Sequence, residues 1–261
     1  GEARALGQRE RSLVVDFDRL RPRRRWPRHL ELALSNTCNL QCVQCNGDLS
    51  SAIRAQREHR PPLRSPYDDG FFAELDPFLR HVESLTFIGG EPFLMRECRR
   101  VWDRLLERGR RPMVWVTTNG TVWDDRVERY VRELAMGISL SIDGVRPETI
   151  EAIRVGADAE ALLANRDRFL DATRAVGASF KLNFCLMPQN WREFFEYLVE
   201  ADRLEVPVYR ARVERPTHLS LYHLPLDELA AVVEELTEQG DAEADRLGRN
   251  RPVWDQALLD L

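Results

Sequence analysis

Residues 29–45 read HLELALSNTCNLQCVQC, a short β-rich run followed without a break by three cysteines. Taken as a strand over 29–35, the run delivers Cys38, Cys42 and Cys45 to the loop at its C-terminal end. Offsets of four and three bring all three sulfurs to one side of a compact loop or helical turn. Further β-rich runs follow at 84–88, 113–117, 137–142, 179–186 and 206–213. Between and after them, amphipathic periodicity and start signals predict helices at 69–80, 96–108, 125–134, 159–175, 191–203 and 226–238. Asn190 with Glu193 three residues on reads as a capping pair, and Gly240 as the end of the last helix. Strands alternating with helices mean repeated βα units on a parallel sheet. Right-handed crossovers curl six such units into an open barrel. The predicted class is α/β, a partial (βα)6 TIM-like barrel over 29–213, with an N-terminal arm (1–28) and a C-terminal helical segment (214–261). In such barrels chemistry collects on the loops at the strands' C-terminal ends.

The chain has 261 residues, and 38 basic against 43 acidic side chains leave a net charge of −5. A hydrophobic share of 43% is that of a globular protein, which excludes disordered and collagen-like chains. No apolar run approaches the ~20 residues a bilayer helix needs, and the arginine-rich start lacks the apolar stretch of a signal peptide. The expected location is the cytoplasm. Lys181 is the only lysine. A mildly negative balance gives no general attraction to nucleic acid or to an anionic membrane. The basic run RPRRRWPR at 21–28 is read as a solvated arm; an RNA-binding role for it predicts steeply salt-dependent binding. Residues 46–67, rich in Arg, Ser and Pro, form a long connection of the kind that is often functional.

Five cysteines, three of them in one tight cluster with Cys98 and Cys185 standing alone, are not a disulfide framework. Without an export signal, such a cluster holds a metal or an iron–sulfur centre. A closed zinc site needs four ligands, and the fourth would have to be His29 or His59. On a four-iron cubane, three cysteines leave one iron open to a ligand that is not protein. His218 and His223 read as surface or packing residues.

The spacing Cys38-x3-Cys42-x2-Cys45 resembles the signature of the radical S-adenosylmethionine (SAM) enzymes. Further stretches resemble that family's in order: Gly89-Gly90-Glu91-Pro92 after the second strand, Thr117-Thr118-Asn119-Gly120 after the third, and Ser139-Leu140-Ser141-Ile142-Asp143-Gly144 on the fourth. Arg154 lies in an Ile-Arg-x-Gly stretch. The resemblance spans 29–213 and implies a partial barrel with one [4Fe–4S] cluster on Cys38, Cys42 and Cys45, whose open iron is chelated by SAM. It implies SAM contacts at Gly89, Gly90, Glu91, Thr118 and Asn119, a carboxylate-binding pair in Ser141 and Arg154, and Met187 near the nucleoside. It also implies a reductant such as ferredoxin or flavodoxin, and a 5′-deoxyadenosyl radical that takes hydrogen from a substrate. The expected substrate is a peptide or natural-product intermediate. A sugar or amino-acid metabolite is the alternative within enzymes, and a non-catalytic iron–sulfur or zinc module the alternative outside them, which would have no use for residues 89–92 and Ser141.

Some residues depart from the family pattern. Gln44 stands where an aromatic residue near the adenine is usual, and the stretch NFCLMPQN at 183–190 lacks a glycine-rich motif some members carry there. That stretch resembles the SPASM/twitch-type branch, which modifies peptides and natural products, yet no cysteine follows Cys185 to ligate an auxiliary cluster. Cys185 could donate a hydrogen atom if it faces the barrel; its ordinary reading is a small buried hydrophobe. Cys98, flanked by Arg96, Arg99 and Arg100, reads as inert. Beyond 213, Leu219, Leu221, Tyr222 and Leu224 read as a crossing segment, followed by a terminal helix capping the barrel.

Overall fold

Along the strands of the computed structural model, alternate residues separate into two chemical sets. Leu32, Leu85, Phe87, Val114, Val116, Ile138, Leu140, Leu182 and Phe184 are buried together with Phe72, Trp102, Phe169 and Leu198 of the helices, so this set faces the helical layer. The structure describes residues 26–261. All of the expected 1–28 arm except its last three residues lies outside them, and with it most of the basic run.

The strands β1 (His29–Leu32), β2 (Ser84–Phe87), β3 (Met113–Thr118), β4 (Gly137–Ser141), β5 (Phe180–Leu186) and β6 (Val208–Arg212) form one sheet in that order, every neighbouring pair parallel. The helices are α1 (Asp69–Leu79), α2 (Arg96–Glu107), α3 (Asp125–Glu133), α4 (Pro147–Ile153), α5 (Ala159–Ala175), α6 (Phe194–Arg203), α7 (Leu226–Glu243) and α8 (Arg251–Asp260). Asp68, Asp124 and Asp158 start α1, α3 and α5 by accepting from backbone N–H groups that have no partner inside the helix. The result is the expected α/β fold, an open six-stranded partial TIM-like barrel. Among the described residues, no helix is long and apolar enough to cross a membrane.

The second set of strand residues is polar and faces away from the helices. Register places Thr117, Ser139 and Lys181 side by side, and likewise Ser141, Asn183 and Tyr209. The Ser139 hydroxyl donates to Asn183 Oδ1 at 3.0 Å, and the Lys181 ammonium stands 5.3 Å from the Trp115 ring and 5.4 Å from that of Tyr209. This helix-free wall is the inside of the open barrel.

Several local expectations are corrected. β1 stops at Leu32 rather than residue 35, because beyond it the chain bonds to the turn after β2 and no longer to a strand. β6 begins at Val208, one residue after Pro207, whose ring nitrogen has no hydrogen for a ladder. Asn190 and Glu193 are not a capping pair. The Asn190 side chain accepts from Met187 N (2.8 Å) and donates to the carbonyls of Asp143 and Cys185, while the Glu193 carboxylate accepts from Val145 N, Arg146 N and the Thr149 hydroxyl. Gly240 does not end α7, which runs on to Glu243; a Cβ there would lie 2.5 Å from Trp254 Nε1 on α8. The expected helices did not include α4 and α8, although Pro147 and Pro252 occupy the first-turn positions where proline suits a helix.

Candidate active site

The chain leaves β1 and enters a loop carrying Cys38, Cys42 and Cys45, which is held from three directions. The turn after β2 bonds its base: Gly90 N–H donates to Ser35 O (3.3 Å) and Glu91 N–H to Thr37 O (2.7 Å). The end of α4 bonds its middle, with Gln41 N–H donating to Val155 O (2.8 Å) and Val43 N–H to Ile153 O (2.9 Å). The start of the 46–67 connection bonds its outer side. Ser51 Oγ accepts from Cys38 N–H and donates to Cys38 O, Ser50 Oγ donates to Leu40 O, and Arg57, in a π-helical turn (Ile53–Arg57), donates to Gln41 O. Single-turn π segments are rare and recur at functional sites.

The glycines beside this loop are required by the protein itself. Gly89 sits at φ +109°, which a side chain would strain, and a Cβ on Gly90 would stand 2.3 Å from Thr37 O and 2.8 Å from Asn36 C. Both colliding atoms are backbone, so no rotamer change relieves the contact. Gly90→Ala is expected to push the triad loop off β2, lower apoprotein stability by about 1–3 kcal/mol and reduce iron uptake in reconstitution. Unchanged urea midpoint and iron content would show that the loop can shift freely.

Glu91 is wholly buried. Its carboxylate accepts from Phe93 N (3.0 Å), the Thr118 hydroxyl (2.8 Å) and Asn119 N (2.7 Å), tying the turn after β2 to the turn after β3. Asn119 carries the tie onward: its Nδ2 donates to Asn39 Oδ1 (3.1 Å) and lies 3.7 Å from Cys38 Sγ. Burial pushes the Glu91 carboxyl up to about 7, against the pull of those donors and of Arg154. A raised carboxyl binds a proton in the folded chain that the unfolded chain releases above its ordinary value of 4.5. This group's contribution to stability therefore falls as pH rises from about 4.5 to about 7, on the order of 3 kcal/mol in total, and is flat above. Urea midpoints across that range should drop more steeply for the wild type than for Glu91→Gln; parallel curves would contradict the assignment.

Cys38, Cys42 and Cys45 are each partly exposed, and Cys42 and Cys45 feel the charge of neighbouring thiols, while Cys38 feels that of Glu91. Burial raises all three thiols, Cys42 to about 11. Below the loop lies Asp143, wholly buried, a residue not singled out by the sequence. Its Oδ2 accepts from the Arg154 guanidinium (2.8 Å) and from Gln44 Nε2 (2.9 Å), and its Oδ1 from Cys185 N (2.8 Å). It thus joins the triad loop, the α4 end and β5. The signal for it lay inside the motif that named Ser141, two residues along, as an acid eleven positions before a basic residue.

A family model described as the Radical SAM superfamily matches residues 32–201. The chain belongs to the radical SAM superfamily. Among curated relatives it is similar to a GTP 3′,8-cyclase of Clostridium botulinum (strain Okra), with 23% identity over 50% of this chain and 39% of that protein. It is also similar to one of Caulobacter vibrioides, with 28% identity over 59% and 42%, and one of Synechocystis, with 24% over 76% and 60%. The chain thus spans roughly two fifths to three fifths of the length of these relatives. Its fold matches Streptococcus suis SuiB bound to precursor peptide SuiA, at TM-score 0.57 with 15% identity, covering 84% of this chain and 47% of that one. It likewise matches anSMEcpe with bound AdoMet and Cp18Cys peptide, at TM-score 0.56 with 17% identity, over 82% and 60%.

Radical SAM enzymes use a [4Fe–4S] cluster and SAM, and the site can be tested against that pair. Among the described residues, no three His, Cys, Asp or Glu side chains are grouped to hold one metal ion. The zinc alternative fails on the same ground. His29 lies at the start of β1 and bonds Ser84, at the far end of the strand from the thiols, and His59 is exposed. A cubane makes a looser demand, since each cysteine ligates a different iron. The buried Arg154 Nε–H has no acceptor in the structure, which suits an anionic centre in this loop. The donor set therefore fits the family's cluster.

The other expected SAM contacts divide. Gly89, Gly90 and Ser141 keep exposed surface near the loop, and Asn119 is nearly buried against it. Glu91 and Thr118 are buried partners of each other. Ser141 and Arg154 have different protein partners: Ser141 Oγ accepts from Asn183 Nδ2 (3.4 Å), while Arg154 is held by Asp143. Met187 is fully buried in a small apolar cluster with Ile153, Val213 and Leu219, on which Val43 and Cys185 rest. Gln44, expected to leave the adenine without its aromatic contact, is engaged through its amide by Asp143. Burial pushes the Cys185 thiol up to about 12 and raises that of Cys98, which packs against Met95.

Proposed function

We propose that this protein is a radical SAM oxidoreductase that takes hydrogen from a peptide or natural-product substrate. The observation that carries this is the thiol loop, locked by backbone bonds at the mouth of β1 and opening over the polar helix-free wall. Cys38, Cys42 and Cys45 would hold the cluster. When bound, the cluster and SAM supply a 5′-deoxyadenosyl radical after one-electron reduction. The chain's own part is positioning. Gly89 and Gly90 would bound the methionine end, Asn119 and Ser141 would offer it polar contacts, and Glu91 and Asp143 hold the loops that carry these groups. The wall bearing Ser139, Lys181, Asn183 and Tyr209 would take the substrate and orient its target through polar contacts. We assign this machinery to 29–213, the 214–261 segment packing against it, and we place the protein in the cytoplasm with a flavodoxin- or ferredoxin-class electron donor.

The peptide preference is supported by the likeness to the SuiB fold and by the stretch at 183–190. A small polar metabolite is the second reading, favoured by the relatives named GTP 3′,8-cyclase and by Lys181, which among the described residues has aromatic neighbours but no ion pair. Anaerobic reconstitution followed by SAM and dithionite should release 5′-deoxyadenosine. Adding peptides encoded beside this protein in one arm, and nucleotides, sugars and amino acids in another, identifies the substrate as the compound that accelerates release and changes mass. An intact cluster that yields no 5′-deoxyadenosine would leave a non-catalytic iron–sulfur module.

A further inference from the structure

The bonds Gln41 N–H to Val155 O and Val43 N–H to Ile153 O run in antiparallel register, which sets residue 42 directly opposite residue 154. Neither segment is a strand, since Ile153 ends α4, but between these bonds the Arg154 guanidinium lies close enough for its charge to pull the Cys42 thiol down against the effect of burial. The guanidinium is buried, one of its nitrogens bonds Asp143 at 2.8 Å, and its Nε–H is left without an acceptor. Asp143 is wholly enclosed, so the pair is shielded from water and salt, and its charges act on the loop at close to full strength.

Resting on the assignment of the triad as the cluster's ligands, we propose that the Arg154–Asp143 pair sets the reduction potential of the cluster. One electron from a low-potential donor takes a [4Fe–4S] centre from 2+ to 1+, and with three thiolates its total charge goes from −1 to −2. A cation opposite one thiolate stabilises the more negative state and raises the potential; a carboxylate behind that cation tempers the effect. Hydrogen bonds to the ligand sulfurs and fixed charge nearby are known levers on such potentials. Arg154 and Asp143 are thus positioning residues that act on the cluster through Cys42 and through charge. A raised potential eases delivery of that electron from the low-potential donor.

The test is a dye-mediated redox titration followed by electron paramagnetic resonance, on anaerobically reconstituted wild type, Arg154→Met, Arg154→Lys, Asp143→Asn and the Arg154→Met/Asp143→Asn double variant, each at full iron occupancy. Arg154→Met should shift the midpoint downward and Asp143→Asn upward. Arg154→Lys should stay near the wild type, and the double variant should lie below it, since the nearer charge is the cation. A merely structural role moves both single variants the same way or not at all, and either result overturns the proposal. If a single variant fails to fold, the double variant, with no buried charge left unpaired, carries the test; a midpoint equal to the wild type's would overturn it. Failure of the wild type itself to assemble a cluster would instead sink the functional assignment beneath it, and the proposal with it.

Discussion

Cys42→Ala is expected to abolish reductive release of 5′-deoxyadenosine and to cut bound iron, while leaving the apoprotein folded. Loss of a residue that merely orients a metal ligand typically costs 10–100-fold in affinity or activity, so loss of a ligand itself should exceed about 100-fold. Cys42 is the central residue of the triad, pinned on both sides by the bonds of Gln41 and Val43 to the end of α4, so no neighbouring thiol can move into its place. The alanine removes one sulfur from a partly exposed position and should change the apoprotein's urea midpoint little. Cys98→Ala is the control: Cys98 is fully buried against Met95 on the helical side and should leave iron content and 5′-deoxyadenosine release intact. Full iron content in Cys42→Ala would dismiss the triad as the ligand set.

Asp143→Ala is expected to be the most damaging single change to the apoprotein, by about 3–5 kcal/mol. It leaves the buried Arg154 guanidinium without its counter-charge and strips acceptors from Gln44 Nε2 and Cys185 N. Against a total stability of about 5–15 kcal/mol, that is a large share. Removing both partners differs physically from removing one, because no uncompensated charge stays behind. The Asp143→Ala/Arg154→Met double variant should therefore be more stable than Asp143→Ala alone, a non-additivity that urea denaturation reads directly. If Asp143→Ala unfolds within about 1 kcal/mol of the wild type, water reaches the pair and its enclosure is not what holds the loop.

The strands, their order and six of the eight helices among the described residues were legible because local patterning produces them. The parallel ladder follows from alternation of β-rich runs with amphipathic helices, and the thiol loop falls at a strand end because Cys38 follows so closely on β1. Of the two helices missed, α4 has only seven residues, with little room for periodicity to accumulate, whereas α8 is as long as α6. The misplaced capping pair has another cause. Asn190 and Glu193 have the right spacing for a cap, but each finds better partners far away in sequence, at Asp143 and Cys185 for one and at 145–149 for the other.

Within the site, spacing alone pointed to a metal or iron–sulfur centre at the three thiols, and the assignment of Cys38, Cys42 and Cys45 to a cubane came from the resemblance to the family. Glu91 and Asp143 were hidden in plain view. Both lie in recognised motifs, but what each acid does depends on which donors converge on it, among them Thr118 and Asn119, 27 and 28 residues from Glu91, and Cys185 N, 42 residues from Asp143. Met187, placed near the nucleoside by the resemblance, is buried by residues from three other segments, Ile153, Val213 and Leu219, which no local pattern announces.

The amino-acid order by itself determined the parallel α/β barrel and the three-thiol loop at its mouth, because these rest on periodicity and spacing over a few residues, while its ordered motifs carried the resemblance to the family. Only the tertiary structure decided that Cys42 stands opposite Arg154, that Asp143 clamps Gln44, Arg154 and Cys185 together, and that Gly90 yields its space to Thr37. Those contacts join segments far apart along the chain, and their strength comes from shared exclusion of water, which exists only once the whole fold has closed around them.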